Sequence, residues 1–202
     1  MQQTQYNIGE VFDYLNPAGN NRTSLLRLLR KMLLRLLVVS QEDQFYEYIG
    51  HCFQEIIPDS IVLINSFNET SNLFQLRAIV SHDIRIQRIT ALLGTNPLGM
   101  SLPINEIMVA ELLDGRVKRV EDGIAGMFHG AVPAEYCHIL QKYFGLTDVY
   151  IVGLSLNRAL LGSASILVGA NKALSDSDLV QSIATICGSV LYQGPQTTYI
   201  CQ

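Results

Sequence analysis

The sequence predicts an α+β domain: an antiparallel sheet of five or six strands, with helices segregated on its faces. Three observations carry this. Residues 147–156 and 160–168 are long apolar runs rich in β-branched and aromatic residues, and only Asn157-Arg158-Ala159 separates them. That spacing forces an antiparallel hairpin. Residues 42–57 and 176–192 carry apolar side chains at helical spacing. Short clusters of Gly, Pro, Asn and Asp punctuate the rest. The two apolar runs belong at the sheet centre, and helices 42–57 and 176–192 pack together behind it.

Size and composition bound the problem. A chain of 202 residues, 49% hydrophobic and 16% charged, suits one domain with an extension. The net charge of −4 argues against a large nucleic-acid footprint, which needs clustered cations. The local exception is Arg22, Arg27, Arg30, Lys31 and Arg35.

Residues 1–22 are polar and read as a loose arm. Thr23 or Ser24 caps a helix over 23–39, whose leucines cover about half its circumference. That arc is wider than one domain face needs. Part of it packs on its own domain, and part, with Leu25, Leu29, Met32 and Leu36 as candidates, meets a second copy to form a homodimer. A basic amphipathic helix can instead lie on an anionic membrane, but the dimer is the preferred reading. Its four basic residues and short length exclude a membrane span.

Phe45, Tyr48, Ile49, Cys52, Phe53, Ile56 and Ile57 form the stripe of the next helix, which Pro58 ends. Strands follow at 60–67 and 73–81. His82-Asp83 opens a helix that runs to Gly94. Met100–Ile104 is extended, Asn105–Leu113 helical, Arg116–Glu121 a short strand, and Ile124–Gly130 a helical, lid-like turn. Tyr136, Ile139, Leu140, Tyr143 and Phe144 share one face of a helix from Pro133, and Gly145 supplies its left-handed stop. Ser175-x-x-Asp178 is a variant capping box that opens the last helix. Residues 193–202 form a tail.

The enzyme templates are missing: there is no phosphate-binding Gly-Lys loop, no Gly-x-Gly-x-x-Gly, no nucleophile elbow and no His-Glu-x-x-His. The four cysteines include no Cys-x-x-Cys, and the plain reading is reduced thiols in a cytoplasmic protein. His51-Cys52 and Cys137-His138 are helix neighbours that point about 100° apart, so no metal site is expected.

Helix, "GL", strand, hairpin and "LLGSASIL" resemble the second half of a GAF domain. The preceding "GMSLPINE…ELLDGRVKRVEDG…VP…C…LQKYFGL" is similar to the GAF modules of archaeal, methanogen-type sensor histidine kinases. The resemblance covers residues 42–192. It implies a non-catalytic sensory and dimerisation module that passes output to a kinase or other downstream domain. It also implies a pocket for a small molecule between the sheet and a cover formed by 82–94, 99–113 and 123–144. Met127, Phe128 and Tyr136 would supply its walls; His82, His129 and Cys137 would supply polar or coordinating atoms. Related modules attach haem or bilin through a cysteine, and "GRVKRVEDG…YCHIL" is similar to those, which makes Cys137 the candidate attachment point for a tetrapyrrole. The bland reading of Cys137 is a packed helix residue. A thiol redox enzyme on the same scaffold needs two cysteines close in space, and Cys52, Cys137 and Cys187 fall on different helices.

Overall fold

A computed structural model describes residues 29–30, 32, 34, 42–88, 96–128, 130–170, 174 and 176–193. The elements are α1 (Glu42–Ile56), β1 (Ile61–Asn68), β2 (Leu73–Val80), a 3-10 turn (Ile84–Arg88), β3 (Ser101–Pro103), α2 (Glu106–Leu113), β4 (Lys118–Arg119), α3 (Gly123–Phe128), α4 (Ala134–Phe144), β5 (Leu146–Leu156), β6 (Ala159–Gly169) and α5 (Ser177–Gln193). The arm at 1–22 lies outside the described residues, as does the tail beyond Gln193.

The six strands form one sheet in the order β3-β2-β1-β6-β5-β4, and every pair is antiparallel. The α+β expectation holds, with one correction to its centre. β6 is central, but its inner partner is β1; β5 has only the two-residue β4 beyond it. Apolar content alone does not rank β1 against β5, because α5 and α2 shield β5 where strand partners run out. Gly153 shows how close that cover lies: a Cβ there would sit 2.0 Å from the Leu112 carbonyl oxygen. The β5–β6 turn is Asn157-Arg158, both at positive φ, so Ala159 joins the strand. Two such residues make the tight turn whose twist matches a hairpin.

Strand alternation sorts side chains between two faces. Val62, Ile64, Ala164, Ile166, Val168, Val152 and Leu154 point to the back, where they pack with Phe45, Ile49 and Phe53 of α1 and Val180, Ile183 and Cys187 of α5. Leu29 and Met32 join this cluster, at 0% and 1% exposure. Residues 29, 30, 32 and 34 are helical, and Leu34 is exposed. The helix therefore extends the back layer as expected. Leu29 and Met32 are corrected as dimer contacts, because the chain's own core covers them. Leu25 and Leu36 lie outside the described residues.

The front cover is made of shorter pieces. Asn105 caps α2, accepting from the Met108 N–H at 2.8 Å. Gly145 stops α4 in the left-handed conformation (φ 67°), as its sequence position predicts. Two expectations need adjustment. The helix from His82 is a 3-10 turn limited to 84–88 among the described residues, with 89–95 outside them. The strand at 116–121 shrinks to Lys118–Arg119. At the start of α5 the Asp176 carboxylate accepts from the Leu179 N–H at 2.9 Å, and Ser175 of the expected capping box lies outside the described residues.

Candidate functional site

The site is the centre of the sheet's front face. On β1 the front-facing positions run Ile61, Leu63, Asn65, Phe67; on β6 they include Ser163, Ser165 and Leu167. Two apolar clusters cover the two ends of this face. One holds Ile61, Ile124, Cys137, Phe144, Val149 and Leu167; the other holds Phe74, Ile104, Leu112, Ile151 and Leu160. Between them lies a cavity of about 20 Å³. Its floor is Asn65, Ser163 and Ser165, and its walls include Leu63, Phe74, Ile104, Met108, Met127, Phe128 and Ile151.

The floor is polar yet buried: Asn65 is 6% exposed, Ser163 0% and Ser165 1%. Asn65 and Ser163 face each other in the β1–β6 register, and Asn65 Nδ2 donates to Ser163 Oγ at 3.2 Å. Asn65 Oδ1 has no hydrogen-bond partner, the one buried side-chain N or O atom in that state among the described residues. A buried acceptor left unmatched costs about 1–3 kcal/mol. The β1–β2 register also shifts here, Ile64 facing Ala78 and Asn65 facing Leu76, so that Arg77 is an extra residue. Bulges of this kind re-aim side chains and concentrate near functional sites.

The predicted site residues divide. Met127 and Phe128 line the cavity. His82 and Tyr136 are exposed, Tyr136 at 56%, and neither lines it. His129 lies outside the described residues. Cys137 is buried in the neighbouring apolar cluster instead of the cavity wall, and burial pushes its thiol pKa up. The stripe predicted for α4 is turned by roughly one residue: Cys137, Leu140 and Phe144 pack inward, while Tyr136, Ile139 and Tyr143 face out. A small side chain at 137 takes the inward position beside Val149 and Leu167.

Asn65, Ser163 and Ser165 escaped the sequence reading. Their signal is period-2 alternation: Ser163 and Ser165 recur on one face of a run whose other face is Ala164 and Ile166, opposite an Asn inside an apolar strand. Arg85 is also unforeseen. Its guanidinium pairs with Asp83 at 2.6 Å and donates to the Tyr143 carbonyl at 2.5 Å, clasping the last turn of α4. The Arg85 hydrogen bond holds the Asp83 carboxyl below the usual carboxylate range.

Cys52 and Cys187, assigned to different helices, do meet in the back layer. A hydrogen bond with Cys52, then burial, pushes the Cys187 thiol well above its ordinary range. Both are buried, and a thiol so raised is a poor nucleophile. No group of three or more His, Cys, Asp or Glu able to hold a metal occurs among the described residues. No helix there is long and apolar enough to cross a membrane.

No family model and no curated protein matches the sequence. Solved structures do match. The chromophore-binding domain of an unusual bacteriophytochrome from R. palustris superimposes with a TM-score of 0.59 at 12% identity, covering 88% of this chain and 62% of that one. The GAF domain of an Acinetobacter phosphoenolpyruvate-protein phosphotransferase gives 0.54 at 10%, covering 84% and 94%. The fold is that of a GAF domain. Residues 122 to 287 of a methyl-accepting chemotaxis protein give 0.54 at 14%, covering 80% and 95%. The chain thus spans less than two thirds of the phytochrome domain it matches and nearly all of the isolated GAF-length structures.

A tetrapyrrole attached through Cys137 does not fit this GAF fold as it stands. The thiol is buried in the apolar cluster, and the cavity of about 20 Å³ is more than tenfold below the roughly 300–1,000 Å³ of sites for drug-sized ligands.

Proposed function

We propose that the chain is the non-catalytic sensory module of a cytoplasmic signal-transduction protein. A small ligand bound at the Asn65 cavity would be read by the front cover, and its effect passed through the back helices to an output domain. The single observation that carries this is the unmatched Asn65 oxygen under a cover of short segments. A structural core gains nothing from such a group, whereas a binding site does.

The motif resemblance read in residues 42–192 is what motivates a histidine kinase as the output partner. The phytochrome and chemotaxis relatives support sensing in general. Assembly as a homodimer through the helix of residues 23–39 is part of the proposal, with Leu25, Leu36 and the exposed Leu34 as contacts. Ligand binding shifts output only if the two signalling states differ in affinity for the ligand.

The test is thermal melting of the full chain against the small-molecule fraction of a cell extract, alongside light scattering. The expected result is a dimer whose Tm rises with the fraction. A monomer contradicts the dimer, and an unchanged Tm contradicts the sensory reading.

A further inference from the structure

We propose that the Asn65 carboxamide is the recognition element for a small, uncharged molecule that carries an N–H or O–H donor. This rests on the reading of the cavity as the ligand site and names the class of ligand.

The charge of the ligand follows from the lining. No Lys, Arg, Asp, Glu or His lines the cavity among the described residues. An ion entering it would lose hydration without gaining a counter-charge. The hydrogen-bonding demand follows from the floor. Asn65 uses one Nδ2 N–H on Ser163 and leaves Oδ1 unmatched, so a donor on the ligand is what would satisfy it. Ser165 lies opposite Leu63 on β1 and Ile151 on β5, and places a second hydroxyl in the lining.

The size follows from the volume and from what can yield. About 20 Å³ matches one water. A larger guest must displace side chains, and the walls offer Met108 and Met127, whose unbranched thioethers repack readily. The strand residues of the floor cannot yield in the same way, because the β1–β6 ladder fixes them. A guest the size of a five-membered ring must push both thioethers aside, and its donor takes the place a water would hold on Asn65 Oδ1.

Pyrrole and furan test this directly, since they share a ring size and only pyrrole donates. The full chain, labelled with ¹³C at the methionine methyls, is titrated with each, and the Met108 and Met127 resonances are followed. The expected result is a saturable shift with pyrrole and an affinity for furan lower by roughly tenfold or more. In the Asn65→Leu variant the preference for pyrrole should vanish while the melting transition is retained. Equal affinities for pyrrole and furan in the wild type, or no saturable shift with either, would overturn the assignment. So would a preference that survives Asn65→Leu. Such failures leave the sensory reading to the extract melt, where a charged or larger ligand would still raise Tm. An unchanged Tm beside a clear pyrrole preference would instead remove the sensory reading and keep the donor-selective site.

Discussion

The two faces of the sheet are built from the same strands and answer to different demands. Behind, Val62, Ile64, Ala164, Ile166 and Val168 meet continuous helices, α1 and α5, in one unbroken apolar cluster. In front, the same strands present Leu63, Asn65, Ser163 and Ser165 to a cover of short segments, and the apolar packing splits in two around them. The difference teaches where stability and where recognition reside. The back face removes apolar area from water and, among the described residues, leaves no buried side-chain N or O unmatched. The front face keeps an unmatched acceptor at the point where β-sheet packing is otherwise easiest to complete.

The contrast can be broken most forcefully from behind. Phe53 is fully buried in the back cluster, and Phe53→Ala should cost about 3–5 kcal/mol in denaturant unfolding. A loss under 1 kcal/mol would mean that the back layer is loosely packed. Next is the seam where the front cover meets β5. Gly153→Ala drives a methyl into the Leu112 carbonyl and should cost about 1–3 kcal/mol, since backbone must move to admit it. The front floor should respond in the opposite direction. Asn65→Leu with Ser163→Ala replaces both hydrogen-bond partners by apolar groups, so stability should stay level or rise by about 1 kcal/mol. A penalty comparable to that of Phe53→Ala would make the polar floor structural.

The smallest expected effect is electrostatic and sits at the rim of the front cover. Asp83 has a depressed pKa in the folded protein because Arg85 donates to it. Its contribution is present above the unfolded Asp pKa of about 3.9 and fades as pH falls through the lower folded value. Asp83→Asn should therefore lower the melting temperature slightly at pH 6. The two proteins should converge in acid, below the folded pKa of Asp83. A gap that persists there would assign the loss to something other than the carboxylate charge.

The sequence made the back layer legible because its signals are local and redundant. The stripe from Phe45 to Ile56 depends on a few neighbouring residues, as does the Gly145 stop in the front cover. The strand order was less legible, since apolar content reports burial and cannot tell a strand partner from a covering helix. α4 misled through its wide apolar arc: Tyr136, Ile139 and Tyr143 match helical spacing as well as the face that the sheet takes. The site was hidden for a different reason. Asn65 and Ser163 lie 98 residues apart, and their meaning appears only when β1 and β6 are put in register. Met127 and Phe128 do line the cavity, because the segment between two apolar helices has few places to go.

The most direct test of the front face as a binding site is native mass spectrometry of the full chain, purified without denaturant, beside the Asn65→Leu/Ser163→Ala protein. The account predicts a wild-type mass carrying a small non-covalent adduct that denaturation releases, and a bare polypeptide mass for the filled variant. An adduct retained unchanged by the variant, or a bare wild-type chain, would contradict it.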